Sequence, residues 1–395
     1  MSSRIVIYSP DEHIRYNLQA LDNWGVGGGI TARIRLAHAL AARGHRVTLF
    51  INTPTESNVS GVQYRCHSAL SDVETDVFIA STSGDRYSLE WLCDVSVRAR
   101  LRILLAHGVS APASLDCLAP DYVYAPSNFI CDCVVTEWGF PAEKLFVCHR
   151  GTAGYLFEQN GLTPMRDAYS LAYTGHPSKG LDTAIDVLRR LRAYDKRFSL
   201  HVYGGNRLWG GDDEPPSPEP GLCYHGLTGQ AELARELQCC SVSLNLQARP
   251  EPFGMAITDS MRAGCVVLAS PVGAFPEIVR DGQNGYLVYG EHHADETRAR
   301  AAALIQSIIE NPRRAESLRR NAIATPLDWE TVAGVWEEHW RWSIGQGPHD
   351  RPSEVCVYCS EHALRFADGL HCTVCGHYAG SQRMSESLNG QVYVS

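Results

Sequence analysis

The stretch from Arg4 to Ile51 restricts the fold more than any other part of this 395-residue chain. Arg4-Ile-Val-Ile-Tyr8 is a short apolar run that reads as a strand. The glycine-rich segment Asp22-Asn-Trp-Gly-Val-Gly-Gly-Gly-Ile30 follows and leads into Thr31–Arg43. There Ile34, Leu36, Ala37, Leu40 and Ala41 mark an apolar helical face, and Gly44 stands where a helix stop is expected. Arg46–Ile51 reads as the next strand. Strand, glycine loop, helix and strand make a βαβ unit, which crosses right-handedly over a parallel sheet.

The alternation continues. Val77–Ala80, Leu101–Ala106 and Asp121–Ala125 read as strands, and each ends in small or polar residues, as strands feeding ligand-facing loops do. A second set begins near Ser170 with Leu171–Tyr173, Ser199–Tyr203, Ser241–Leu246 and Cys265–Ala269. Leu181–Arg192 is helical, with Ala184, Val187, Leu188 and Leu191 on one side. The stretch Gly210–Pro220 reads as an exposed loop. Ala301–Ile309 and Pro312–Ala322 are helical. Trp329–Trp342 is a helix whose aromatic surface needs a partner to bury against. The expected organisation is α/β: one doubly wound domain over residues 1–165 and a second over 166–328, followed by the helix at 329–345. A linker at 346–353, a small module at 354–380 and a tail at 381–395 complete the chain.

Composition narrows the function classes. Hydrophobic residues make up 44% and charged residues 20%, as in folded soluble chains. The formal net charge of −9 argues against general nucleic-acid binding, which depends on phosphate neutralisation. The N-terminus lacks the pattern of a signal peptide, and no apolar run approaches the roughly 20 residues of a membrane-spanning helix. With fourteen cysteines and no export signal, reduced thiols and metal binding are expected, not a disulfide framework. The expected location is the cytoplasm, with peripheral membrane contact left open.

Two segments carry the chemistry. The glycines at 27–29 let backbone N–H groups approach an anion, and the following helix adds its positive end. A diphosphate suits that position, although a plain connecting turn would look the same. The second segment is Arg249-Pro-Glu-Pro-Phe-Gly-Met-Ala-Ile-Thr-Asp-Ser-Met-Arg-Ala-Gly264. Glu251 sits at a helix mouth and Asp259 about two turns on. At helical pitch the eight-residue spacing leaves them about 80° apart, so both can face one cleft and accept from sugar or ribose hydroxyls. On charge alone, two acids complementing a helix dipole explain the pattern equally well.

The pattern around those acids resembles the large retaining glycosyltransferase family 4 and its E-x7-E segment. It runs Pro250-Glu251-Pro252-Phe253-Gly254, Asp259, Gly264, Cys265–Ser270, Gly273, Pro276-Glu277-Ile278-Val279, Asp281–Gly285 and Leu287-Val288. Gly27–Gly29, His107, Ala125–Asn128, Gly139–Phe146, Tyr173–Asp182, Gly204-Gly205 and His225-Gly226 resemble further parts of the family pattern. The likeness covers roughly residues 1–345. It implies a GT-B fold, two Rossmann-like domains facing across a cleft, with the 329–345 helix returning to complete the first. It also implies sugar transfer from a nucleotide-diphosphate sugar to an acceptor with retention and no catalytic metal.

By the same resemblance, Glu251 contacts the transferred sugar and Asp259 the ribose. Lys179 neutralises the diphosphate, His176 stands beside it, and the amides of Gly254 and Met255 lie near sugar or phosphate oxygens. Gly27, Gly28 and Gly29 close on the diphosphate, and His107 lies near the sugar and acceptor. Two positions depart from the family. Asp259 replaces a glutamate and shortens its reach by one methylene. His176 stands where an arginine is usual, and a histidine is only partly charged near neutrality. Arg207 and Arg249 are the candidates to supply the missing cation.

Near the C-terminus, Cys356-Val-Tyr-Cys359 and Cys372-Thr-Val-Cys375 are two C-x2-C knuckles separated by twelve residues. Such pairs hold structural zinc tetrahedrally at about 2.3 Å, and so small a segment has almost no core without metal. The module is expected to be a zinc ribbon that docks a protein partner or the acceptor, with His362, His371 and His377 ranking below the cysteines as ligands. The other ten cysteines are expected to be packed. Two alternatives to the transferase stay open: a non-catalytic GT-B binding protein working through its zinc module, and a GT-B epimerase or phosphorylase.

Overall fold

The computed structural model describes residues 2–82, 87–158, 165–212 and 214–345, and the strand segments 354–355, 362–366, 369–372 and 378–380. The chain divides into two compact units. One comprises Met1–Asn17, Ala32–Gly151 and Trp329–Ser395, and the other Leu18–Thr31 and Thr152–Asp328.

The first unit is built on an eight-stranded sheet of β1 (Arg4–Ser9), β2 (Arg46–Ile51), β3 (Ser57–Val59), β4 (Val62–Cys66), β5 (Val73–Ser81), β6 (Val97–Leu105), β7 (Tyr122–Ala125) and β8 (Leu145–Val147). The order is β3-β4-β2-β1-β5-β6-β7-β8. All neighbours are parallel except the β3–β4 hairpin. That hairpin has no strong local apolar signature, since only Val62 and Tyr64 of its residues are buried. Ile5 and Ile7 pair with Val47 and Leu49 on one side and with Val77 and Ile79 on the other, and all six are buried. Strands covered on both faces read as continuous apolar runs, which is why they stand out in the sequence.

The helix Trp329–Gly345 belongs to this unit. Its buried Trp336 meets Tyr124 edge-on at 4.6 Å between centroids. His339 packs on Phe146 at 4.1 Å, and its Nδ1 lies 2.5 Å from the Tyr124 hydroxyl. Trp329, Trp336 and Trp340 are therefore core of the first unit, and His339 is a packed residue.

The expectation of reduced thiols fails at one pair. Cys93 and Cys117 form a disulfide, their Cα atoms 5.7 Å apart. They lie on two short helical turns, Glu90–Asp94 and Leu115–Leu118, that follow β5 and β6. No motif marks the pair, because packing of the turns brings them together. Eight other described cysteines are free.

The second unit has a six-stranded parallel sheet of β9 (Asp167–Gly175), β10 (Ser199–Gly204), β11 (Leu222–Gly226), β12 (Cys240–Asn245), β13 (Val266–Ala269) and β14 (Gly285–Leu287). Its order is β11-β10-β9-β12-β13-β14, and every neighbour is parallel. The order reverses between β9 and β12, so loops after these two strands diverge and leave a crevice at their carboxyl ends. The helix Leu181–Tyr194 buries Leu181, Ala184, Val187, Leu188 and Leu191 in a core that also takes Ala301 and Ile305 from the helix Asp295–Glu310.

The four C-terminal strand segments form an antiparallel sheet. Cys356, Cys359 and Cys375 lie outside the described residues, as does the side chain of Cys372, and with them the zinc assignment. Among the described residues no group of three or more His, Cys, Asp or Glu could hold a metal, and no helix is long and apolar enough to cross a membrane.

Candidate functional site

The loops after β9 and β12 build the site in the second unit. After β9 the chain makes a short turn, Pro177–Lys179, and enters the helix Leu181–Tyr194 at Gly180. Gly180 has φ +92°, and a Cβ there would stand 1.9 Å from the carbonyl oxygen of Leu246. Only glycine allows this approach, and it sets Lys179 beside the segment that follows β12. The Lys179 ammonium donates to Glu251 Oε2 at 2.7 Å, and both side chains are only partly exposed.

Glu251 is held from several directions. Its carbonyl accepts from Ala274 N–H at 2.9 Å. Gln247 is buried and donates through Nε2 to the Arg249 carbonyl at 2.6 Å and to Glu251 Oε2 at 3.5 Å. Gly254 follows with φ +107°, and a Cβ there would stand 2.8 Å from Phe275. The buried rings of Phe253 and Phe275 floor this turn.

The helix is Met255–Arg262, so Glu251 precedes it and only Asp259 is helical. The helical-wheel argument for the two acids therefore does not apply, because Pro250-Glu251-Pro252 is irregular loop and Gly254 precedes the helix as its cap. Asp259 lies on the second turn and is half-buried.

The glycine segment also belongs to this unit. Its helix, Gly28–Ala42, opens three residues earlier than the sequence pattern indicates. Gly28 and Gly29 are thus first-turn residues, and Thr31 N–H to Gly27 carbonyl is the first helical bond. The N–H groups ahead of it are the unpaired donors of a helix start. Gly28 faces Met255: a Cβ on Gly28 would sit 3.4 Å from the Met255 sulfur. The structure so gathers Lys179, Glu251, Gly254 and Met255 on one side of the second unit, with Gly28 against Met255.

His176 caps the 177–179 turn. Its Nδ1 accepts from the Ser178 N–H at 3.2 Å and lies 2.8 Å from the Ser178 hydroxyl. The ring stacks on Trp209 at 3.6 Å and 14°. Burial, then Lys179 and Arg249, hold its pKa below the usual histidine value. At neutral pH this imidazole is uncharged. Trp209 and Gln247 were not legible as site residues. The signal available was their position, each just beyond a strand whose loop faces the crevice.

His107 lies in the first unit, two residues beyond β6, and its N–H donates to Thr82 Oγ1 at 2.9 Å. Arg150 Nη2 donates to His107 Nδ1 at 2.8 Å. Burial, then Arg150 and Arg33, hold the imidazole far below its usual pKa. Since Nδ1 accepts, the neutral ring carries its proton on Nε2, which is buried and has no hydrogen-bond partner among the described residues. His107 is therefore a hydrogen-bond donor at neutral pH, not a ready base. Arg33 behind it is fully buried and paired with Asp11 at 2.5 Å, and Asp11 also accepts from the Tyr16 hydroxyl at 2.5 Å.

Comparison with solved structures defines the class of fold. A glycosyltransferase from Rickettsia africae ESF-5 superposes with a TM-score of 0.64 at 14% identity, over 88% of this chain and 100% of that one. Anabaena Alr3699/HepE in complex with UDP-glucose superposes with a TM-score of 0.61 at 16% identity, over 85% of this chain and 99% of that one. The fold is GT-B. More particularly, residues 168–308, which contain Lys179, Glu251 and Asp259, match the family Glycosyl transferases group 1. The D-inositol 3-phosphate glycosyltransferase of Thermomonospora curvata is 31% identical over 121 residues, 30% of this chain. The aligned stretch spans only 24% of that relative's own length.

Proposed function

We propose that this chain is a retaining glycosyltransferase that takes its sugar from a nucleotide-diphosphate sugar. The observation that carries the reading is the Lys179–Glu251 pair at 2.7 Å, set beside the start of the helix Met255–Arg262 within the family-matched stretch. Lys179 is the cation for the diphosphate, and binding of the donor draws the ammonium from Glu251 toward phosphate oxygens. Glu251 then accepts from hydroxyls of the transferred sugar, and Asp259 from the ribose. The first-turn N–H groups at Gly28 and Gly29, and the amides of Gly254 and Met255, supply fixed donors.

In the reaction the anomeric C–O bond breaks and its electron pair goes to the β-phosphate oxygen, where these donors and Lys179 stabilise the charge. The acceptor hydroxyl oxygen bonds the anomeric carbon on the face the diphosphate leaves, and its proton passes to the departing phosphate. His107 contributes a hydrogen bond from Nε2 to a sugar or acceptor hydroxyl. No metal is needed in this scheme. The C-terminal cysteines Cys356, Cys359, Cys372 and Cys375 are assigned to structural zinc in a module that docks a partner or the acceptor, on their spacing alone.

The test is a thermal-shift panel of UDP-, GDP-, ADP-, CDP- and TDP-sugars on wild type and Glu251→Ala. One donor class should raise the melting temperature of wild type and raise it less in the variant, because selective binding stabilises the native state. No shift with any donor would overturn the proposal and leave the non-catalytic binding protein in its place.

A further inference from the structure

We infer that Arg249 is the second cation of the diphosphate site and that Trp209 is the platform that positions it. The inference rests on the donor-site reading above and names a residue that reading leaves out. The Arg249 guanidinium lies over the Trp209 ring, its Cζ 4.7 Å from the centroid. The Lys179 ammonium stands 5.9 Å from the same centroid, and His176 stacks on the same indole. Three nitrogen groups thus converge on one aromatic ring.

Their charges differ. Lys179 is already matched by Glu251, and His176 is neutral, its Nδ1 committed as an acceptor to Ser178. Two phosphates would then meet a single shared cation. Arg249 removes that shortfall. Its side chain is exposed, and among the described residues it forms no ion pair. Its backbone is nonetheless fixed, since the buried Gln247 amide donates to its carbonyl at 2.6 Å. A guanidinium resting on an indole keeps its fork of donors pre-set, and that fork matches phosphate oxygens in pairs. Arg207, the other candidate, is exposed on the turn Asn206–Trp209 that carries the indole itself, and among the described residues its side chain makes none of these contacts.

On this account His176 serves as the turn cap and as a stacking partner of Trp209, and Arg249 supplies the charge usual at that position. The ligand chemistry is a nucleoside diphosphate, and the contact is with its phosphates, not its base.

The test is calorimetric titration of UDP, GDP and ADP into wild type, Lys179→Gln, Arg249→Gln, Arg249→Lys and Trp209→Leu, with the parent nucleosides as controls. Arg249→Gln should lower affinity for the preferred diphosphate about ten- to a hundredfold, the size expected for hydrogen bonds to a charged group, and leave nucleoside affinity unchanged. Arg249→Lys should keep part of the affinity, and Trp209→Leu should lose part. Adding His176→Arg to Arg249→Gln should restore affinity, an outcome a merely structural role for Arg249 would not give. Unchanged diphosphate affinity in Arg249→Gln, beside a loss in Lys179→Gln, would overturn the inference and leave the donor site standing. If wild type binds none of the diphosphates, the donor-site reading itself fails and this inference falls with it.

Discussion

Gly180 offers a quantitative test of how the site is held. Its φ of +92° is nearly that of Gly44, at +93°, but their surroundings differ. A Cβ on Gly44 meets nothing within 4 Å, whereas a Cβ on Gly180 lies 1.9 Å from the Leu246 carbonyl oxygen. Gly44→Ala should cost about 1 kcal/mol, the strain of a left-handed alanine. Gly180→Ala carries the same strain plus the clash, for which overpacking costs of roughly 1–3 kcal/mol are typical. A total near 3 kcal/mol is expected, about 2 kcal/mol more than the control. Relieving the clash to the 3.0 Å that real Cβ atoms respect needs a displacement of 1.1 Å (3.0 − 1.9). Lys179 precedes Gly180 directly, and a shift of that size takes its 2.7 Å bond to Glu251 toward the edge of ion-pair range. Misplacements near 1 Å can cost about a hundredfold in turnover. Urea unfolding of both variants, each read on the transition of its own unit, gives the stabilities, and donor titration gives the functional effect. Equal destabilisation by the two substitutions, or unchanged donor affinity in Gly180→Ala, would refute the reasoning.

Other predictions concern the rest of the molecule. Burial leads the causes that depress the pKa of His38, His45, His107, His176, His201 and His292, with His38 lowered to about 4. The unfolded chain takes protons at these positions first, so stability should fall as pH drops below about 6.5 and continue falling toward 4; a flat urea midpoint between pH 7 and 5 would contradict this. Reducing Cys93–Cys117, which closes a loop with a sequence separation of 24, should destabilise the first unit by about 3 kcal/mol; calorimetry with and without reductant measures it, and an unchanged transition would speak against the bond. The purified chain should contain one zinc per molecule by atomic emission, and Cys356→Ser should abolish it; a metal-free wild type would remove the zinc assignment.

How much could be read from sequence depended on whether the cause was local. Arg46–Ile51 is a strand with the bounds its apolar run indicates, because a strand buried on both faces has to be continuously apolar. The helix Leu181–Tyr194 likewise follows its own period. The start at Gly28 was hidden because glycine opposes helix formation by propensity, and the contact of Gly28 with Met255 is a product of tertiary packing that no local pattern states. The Lys179–Glu251 contact joins residues 72 apart and depends on β9 and β12 being neighbours, which no local pattern states. The Cys93–Cys117 pair and the Arg150–His107 bond are also products of tertiary placement. Arg249 could be nominated as a cation from the sequence, but only the position of Trp209 distinguishes it from Arg207.

The central claim is that Glu251 and Lys179 serve sugar transfer from a nucleotide sugar. It is tested most directly by following turnover of the donor selected in the panel by proton NMR, in wild type and in Glu251→Gln. The account predicts that wild type releases nucleoside diphosphate and forms a product that keeps the donor's anomeric configuration. It predicts that Glu251→Gln melts at an unchanged temperature and turns over at least about a hundredfold more slowly. Unchanged turnover in Glu251→Gln would contradict the assigned role, and an inverted product would contradict the retaining mechanism.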